Sequence, residues 1–499
     1  MLPPEYGQTV PYGPFTGYYI YTPPAHKPSL RTSGTPGRAA GSRTAQVKAP
    51  PRALQNHLPD ALGRSTRPRA AQRRRRRTGR ATRRPTLALA GPTRFSHAFE
   101  APGYRWLWAN ALCTSMTLTV ELLSQGWLIL VLTQSPFWVG LAAGLRGASQ
   151  TLFSLAGGAL ADYVDRRRLL VITQAAAAVM ALVVALLVLS QAIRLWHMLL
   201  YVVLAGCAFA VSKPTTNGLM YDLVGEHRLL NANAFLFMAG SLVRILGALL
   251  GGLVIARLGV GQNYLLVVAA YGIGLGCLFA LRSPKTIRRG AEPLVASVRE
   301  GLRYAVRTRA IRWLLWLSLA IEAFGFSYQF MLPVMARDVL KVGALGLGYL
   351  TAMGGVGQLA ATLHVAARGD VARKGTLMIV AAIGFGGGIL CFSLSPWFLV
   401  SLAVIAVVGY MGSNYDATMS TVLQVTASEE MRGRVLGLYY ATIGLNQLGA
   451  LATGAVASVL GLPVALAIGG GIVVACALGL LPGLRAFNAK PSGGASADL

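Results

Sequence analysis

Acidic residues are scarce in this chain: 17 Asp and Glu stand against 46 Lys and Arg, and charged residues of both signs make up only 13% of 499. A soluble protein carries roughly 25% charged residues, so an ordinary water-soluble globular domain is excluded. Cysteine is sparse as well. The five (Cys113, Cys207, Cys277, Cys391 and Cys476) all fall in apolar runs and none has metal-ligand spacing, which argues against a disulfide framework or a metal site. The six histidines are scattered, and the chain contains no G-x-x-x-x-G-K-[ST], H-E-x-x-H or C-x-x-C. No ATP motor, cofactor, metal or catalytic constellation is expected, and the chain does not read as an enzyme.

What is abundant is apolar: 54% of residues are hydrophobic, 58 are glycine, and the mean hydropathy is +0.54. Glycine at this level suits helices that must approach closely in lipid. The net charge of +29 suggests nucleic acid until it is located. Residues 1–94 hold 16 Arg and two Lys against Glu5 and Asp60, so +16 of the +29 lies in this tail. The tail is rich in Pro, Arg, Ala, Gly and Thr, has no apolar run long enough for a signal peptide, and contains the self-repelling block Arg73–Arg77. Its composition predicts a disordered cytoplasmic segment. Attraction to anionic headgroups and weak nucleic-acid contact are the functional readings, against a merely solvated tail. No aromatics interleave with the arginines, so no specific nucleic-acid partner is expected.

A bilayer-crossing helix needs about 20 apolar residues. From Trp106 onward twelve such runs follow, at roughly 106–132, 137–161, 169–190, 196–220, 232–256, 263–281, 311–335, 345–366, 376–394, 397–422, 435–458 and 461–484. Alternate loops are basic: Arg166–Arg168, Arg228, the stretch from Arg282 to Arg312, Arg368 with Arg373 and Lys374, and Arg432 with Arg434. The loops between them are nearly uncharged around Ser135, Ser395 and Leu462, and hold only Arg194, Arg257, and Arg337 with Lys341 beside Asp338. Lys/Arg excess in short loops marks the cytoplasmic side. The pattern predicts a multi-pass protein of the cell membrane with both termini cytoplasmic.

The organisation expected is a tail at 1–94, a six-helix bundle at 95–281, a linker at 282–310, a second bundle at 311–485 and a tail at 486–499. The segment VREGLRYAVRTRAIR (298–312) sets Val298, Leu302, Ala305 and Val306 among basic residues, which suggests an amphipathic helix on the membrane surface. The two bundles resemble each other. LGALLGGLV (246–254) returns as LGALATGAV (448–456) at an offset of 202, Glu121 as Glu322 at 201, and Asp162 as Asp370 at 208. Duplicated six-helix halves with a site at their interface are a carrier architecture. The fold class read from the sequence is all-α integral membrane, twelve transmembrane helices in two pseudo-symmetric six-helix bundles.

Charged groups inside the spans are the site candidates. Glu121 lies midway in the first span, with Thr114, Thr117, Ser124 and Gln125 on its general face. A charge at bilayer centre costs about 2.5–3.5 kcal/mol on insertion scales, so such an acid should face a cavity or take up a proton. Glu322 in the seventh span follows the same logic, with Ser318 and Gln329 on its side, and Asp416 in the tenth is a third proton-coupling candidate. Arg146 and Arg244 each offer a partner for Glu121 or a holder for an anionic substrate, and Lys213 is a further cation. A buried ion pair that only fixes helix register is the bland alternative. Tyr328, Phe330, Tyr410, Tyr415, Tyr439 and Tyr440 are aromatic candidates for an amphipathic substrate site.

The loop GGALADYVDRRRLL (157–170) is similar to the most specific motif of the major facilitator superfamily, G-x-L-a-D-r-x-g-r-[kr], and the resemblance extends over Trp106 to Leu484. Gly158, Leu160, Asp162 and Arg166 fit, Arg167 follows, and Asp165 and Tyr163 occupy the second glycine and first basic positions. HRLLNANAF (227–235), EEMRGRVLGLY (429–439) and RILGALLGG (244–252) look like the bacterial branch that includes the enterobactin exporter and macrolide efflux proteins. In the last of these, Gly247, Gly251 and Gly252 fit the fifth-helix antiporter motif, with Ala248 where proline is usual. The resemblance implies that Asp162 faces the start of the eleventh span near Arg432, that Arg166 pairs with Asp222, and that this cluster, with Asp370 as its counterpart, closes the inner gate. It implies a monomeric, proton-coupled exporter of a drug- or siderophore-like small molecule working by alternating access. An importer or uniporter of the same fold, and a membrane-tethered binding protein acting through its basic tail, are the alternatives.

Overall fold

The computed structural model describes residues 98–101, 103–282, 294–368 and 373–483. The 1–94 and 486–499 segments and Asp370 lie outside the described residues, as do the side chains of Gly158 and Asp162. Among the described residues every regular element is helical.

The spans follow in order as Tyr104–Thr133, Pro136–Tyr163, Arg166–Leu189, Leu195–Val224, Glu226–Arg257 and Val260–Ala280, then Arg309–Val339, Gly343–Arg368, Lys374–Leu394, Phe398–Thr426, Arg432–Leu460 and Leu462–Gly479. Ten of these are long and apolar enough to cross a membrane among the described residues. The second and eighth spans, 28 and 26 residues long, complete the set; both are glycine-rich, and the second also carries Arg146 and Gln150 within its length. Several spans outrun the apolar runs that announced them. The fourth continues through Asp222 to Val224 and the fifth begins at Glu226, because polar residues at a span's end remain in the helix where they leave the hydrocarbon. HRLLNANAF is therefore the opening of the fifth span.

Five loop ends carry the arginines of Arg166, Arg228, Arg282, Arg373 and Arg432; we call this the basic end. Thr133, Leu258, Leu340 and Leu460 mark the sparsely charged end. Exposed tryptophans gather near both, with Trp313 and Trp316 toward the first and Trp196 and Trp397 toward the second, as expected of rings at headgroup level. Between them the outward surface is apolar, with Phe237, Ile273, Leu399 and Val459 all exposed. A band of that kind belongs against lipid.

Packing repeats between the halves. The second span packs on the fourth as the eighth does on the tenth, and the third on the sixth as the ninth on the twelfth. Two crossings join the halves, second with eleventh and fifth with eighth. Glycine makes both possible. A Cβ added at Gly252 would stand 2.7 Å from the Gly348 Cα, and one added at Gly454 would stand 3.0 Å from the Gly140 Cα. Gly252 and Gly454 are equivalent positions of the repeated LGAL segment, so the repeat seen in the sequence is a repeat of interface contacts. Gly247 and Gly251 turn instead to the first span, toward Met116, Thr119 and Val120. Ala248 is buried and the fifth span runs through it without a break.

The halves interlock at the sparsely charged end. Besides the glycine crossings, Gly126 abuts Pro333, and Arg337 donates to Leu130 O at 2.8 Å and to Gln134 Oε1. Gln447 donates to Gln150 Oε1 at 3.0 Å near mid-depth. The amphipathic segment is a helix over Leu294–Arg307. The 298–312 reading carried it too far: Thr308 is extended, with φ −87° and ψ 104°, and Arg309 already opens the seventh span. Hydrophobic spacing continues across Thr308, so the break has no periodic signature. Arg434 Nη1 fixes this helix to the eleventh span through Glu300 Oε1 at 2.7 Å.

Candidate functional site

The first span carries a file of polar side chains inside the amino-terminal bundle. Toward the basic end Asn110 and Gln174 exchange amide hydrogen bonds of 2.9 and 3.2 Å, and Asn110 Nδ2 also donates to Gly274 O at 3.0 Å. Midway, Arg146 Nη1 donates to Glu121 Oε1 at 2.6 Å and to Gln125 Oε1 at 3.0 Å. Both members of the ion pair are about 2% exposed. Further on, Asn263 Nδ2 donates to Ser124 Oγ at 2.6 Å. The sequence left two partners open for Glu121, and the geometry selects Arg146. A small cavity of about 40 Å³ lies against the pair, lined by Tyr201, Tyr271, Thr173 and Ser212 among others. It accommodates water and nothing of substrate size.

The equivalent acid of the other half lives differently. Glu322 is 2% exposed and sits in a π-helical turn, Ile321–Gly325. The Phe326 N–H reaches back to Ile321 O at 2.9 Å. Such turns are rare and frequent at functional sites. Gly449 and Gly469 approach the backbone of this turn, at Ala323 and Phe324. Glu322 lies within electrostatic reach of Asp416. Asp416 Oδ1 accepts from Tyr439 at 3.4 Å, and Ser318 and Thr442 share a hydrogen bond of 2.5 Å nearby. Among the described residues neither acid has a Lys or Arg at salt-bridge distance.

Between the halves lies a larger cavity of about 210 Å³. It draws on the first, second, fifth, seventh, eighth and tenth spans, and Gln125, Arg244, Gln329 and Gln358, with the hydroxyls of Thr119 and Thr351, supply its polar groups. Tyr328 and Phe330 contribute aromatic wall. Tyr410, Tyr415, Tyr439 and Tyr440 do not line it; Tyr415 and Tyr439 are buried beside the acids. Lys213 is exposed on the fourth span and lines neither cavity.

The basic turn after the second span binds its own half together. Asp165 caps the third span, accepting from the Arg168 N–H at 2.8 Å, which is a sound use of the position where the motif carries glycine. Arg166 Nη1 reaches Asp222 Oδ2 at 2.7 Å and Gly218 O at 3.2 Å. Arg167 donates to Leu278 O and Phe279 O at 2.8 and 2.9 Å, where a cation meets the negative end of the sixth span. Arg432 Nε donates to Gln424 O at 3.0 Å.

Asn110, Gln174, Asn263, Gln358 and Gln447 were not singled out from the sequence. The rule that found Glu121, a polar residue inside an apolar run, applies to amides as well.

Two pseudo-symmetric six-span bundles about a midplane cavity define the fold of secondary membrane transporters. The chain belongs to the major facilitator family described as transmembrane secretion effector, which matches residues 95–495. It is 25% identical over 329 residues to the enterobactin exporter EntS of Shigella flexneri, covering 65% of this chain and 78% of that one. The EntS of Escherichia coli O139:H28 is likewise 25% identical over 329 residues, covering 65% and 79%. Among solved structures it is similar to a bacterial homologue of the human lysosomal transporter Spinster in an inward-facing, unoccupied conformation, with TM-score 0.58, 16% identity and coverage of 79% and 96%. The nucleoside transporter NupG aligns with TM-score 0.59 at 15% identity, covering 77% and 98%. The chain is thus a multi-pass membrane transporter, embedded in the bilayer and acting on small molecules.

Proposed function

We propose that this transporter exports an amphipathic small molecule in exchange for protons, and that the Glu322–Asp416 pair carries the proton. One observation supports this most: Glu322 and Asp416 interact electrostatically within the spans, and among the described residues neither has a Lys or Arg at salt-bridge distance. Two negative charges there repel each other in a medium that solvates neither. A proton shared between them removes the repulsion and one of the two buried charges, and its arrival and departure give the carrier two charge states. Glu121 is the weaker coupling candidate, because Arg146 already neutralises it.

The outward direction is supported by the two exporter relatives. The basic end is taken as cytoplasmic, so both termini are cytoplasmic. The cavity then faces the cytoplasm in this conformation, since the halves interlock at the opposite end. The carrier works as a monomer: the six-span halves complete the cavity without a second copy. The cluster of Gly158, Asp162, Arg166, Arg167 and Asp222, with Asp370, closes the inner mouth when the bundles rock.

Accumulation of drugs and siderophores in cells with and without the protein identifies a transported compound. In everted vesicles, flux of that compound should collapse when a protonophore dissipates the pH gradient. It should also be lost in Glu322→Gln and Asp416→Asn while membrane insertion is unchanged. Full pH-driven flux in the double variant, or flux indifferent to pH, overturns the assignment.

A further inference from the structure

We infer that the central cavity takes an amphipathic solute bearing a single negative charge, such as a carboxylate, phenolate or sulfonate, with Arg244 as the group that receives it. This rests on the transport reading above and specifies its substrate class.

Arg244 is the only charged residue that lines the cavity among the described residues. Its side chain is accessible, and no acid lies within salt-bridge distance of it among the described residues. A guanidinium stays protonated in proteins and only donates hydrogen bonds. The embedded acids are occupied elsewhere. Glu121 is held at 2.6 Å by Arg146, and neither Glu322 nor Asp416 lines the cavity.

Gln125 adds to the donor side. Its Oε1 accepts from Arg146, and because arginine cannot accept, that oxygen is committed. The amide NH2 remains for the cavity that Gln125 also lines. Gln329 and Gln358 add neutral polar groups, while Leu122, Leu350 and Ile405 present apolar wall. The result is one fixed positive charge on a largely apolar wall, and its field strengthens as the halves close and water leaves. A cationic amphiphile meets repulsion with no carboxylate to offset it. A neutral one leaves the guanidinium unpaired when the halves close and water leaves. A dianion leaves one of its own charges unpaired.

The test uses the full-length protein in lipid nanodiscs and two probes that differ only in one group, anilinonaphthalene sulfonate and its neutral parent phenylnaphthylamine. Binding is measured by equilibrium dialysis, with empty nanodiscs subtracted. The wild type should bind the sulfonate about tenfold to hundredfold tighter than the parent, as expected for hydrogen bonds to a charged group. Arg244→Gln should bring the ratio near unity, and Arg244→Lys should keep most of it. Equal binding of the two probes by the wild type, a comparison that needs no variant, overturns the inference. So does a preference that survives Arg244→Gln. If the charge preference stands but transport ignores the proton gradient, the proton-exchange reading fails and the charge assignment holds. Proton-driven transport with equal binding of the two probes has the opposite meaning.

Discussion

Glu121 and Glu322 occupy equivalent places in the duplicated halves, and the halves have settled them in opposite ways. The amino-terminal bundle sets an arginine 2.6 Å from its acid and continues the polar contacts along the span in both directions. The carboxy-terminal bundle widens the helix at its acid, surrounds it with tyrosine and hydroxyl groups, and places a second acid within reach. A paired acid in a low-dielectric interior is locked, because either partner alone would be an uncompensated charge. An acid beside another acid is free to exchange a proton. Duplication supplied the same group twice, and its neighbours decide between scaffold and switch.

The largest effect is expected where the lock is broken. Arg146→Leu leaves Glu121 buried and unpaired and should lower stability by about 3–5 kcal/mol, read from thermal unfolding of the purified protein. Glu121→Gln in the same chain should recover much of the loss. A strictly additive double variant would dissolve the distinction between the halves.

Where the halves are alike, their responses should be alike. Gly252→Val and Gly454→Val each push a side chain into the facing backbone, at an expected cost of about 1–3 kcal/mol. Spin labels at the sparsely charged end should report both as a wider separation of the halves. A large effect at one crossing and none at the other would mean that the pseudo-symmetry is only formal.

The basic turn sharpens the contrast on a smaller scale. Arg166→Gln removes the contact to Asp222 and should cost about 1–2 kcal/mol, measured by the same unfolding assay, and Asp222→Asn should add little to it. The smallest effect is reserved for the switch. Glu322→Gln replaces one of two acids that share a proton with a neutral side chain of the same shape and should leave stability within about 1 kcal/mol of wild type while it abolishes pH-driven transport.

Much of this was legible in the sequence. Length and apolarity located the spans, the offset of the LGAL segments paired the glycine crossings, and arginine spacing in the basic loops distinguished the two ends. What escaped was angular. Depth along a span follows from counting residues, but the direction a side chain takes around its helix relative to a neighbouring helix does not. Arg146 and Arg244 therefore looked equivalent as partners for Glu121, although one is buried against it and the other lines the cavity. The approach of Asp416 to Glu322 was hidden for the same reason, since they lie on spans seven and ten. The π turn at Ile321–Gly325 adds one residue to a helical turn without changing composition, and the break at Thr308 interrupts a pattern that otherwise continues.

Infrared difference spectroscopy of the reconstituted protein at neutral pH tests the contrast between the two acids most directly, because a protonated carboxyl has a C=O stretch that a carboxylate lacks. The account predicts such a band in the wild type, its loss in Glu322→Gln with Asp416→Asn, and its persistence in Glu121→Gln. A wild type without the band, or a band that disappears with Glu121→Gln alone, would contradict it.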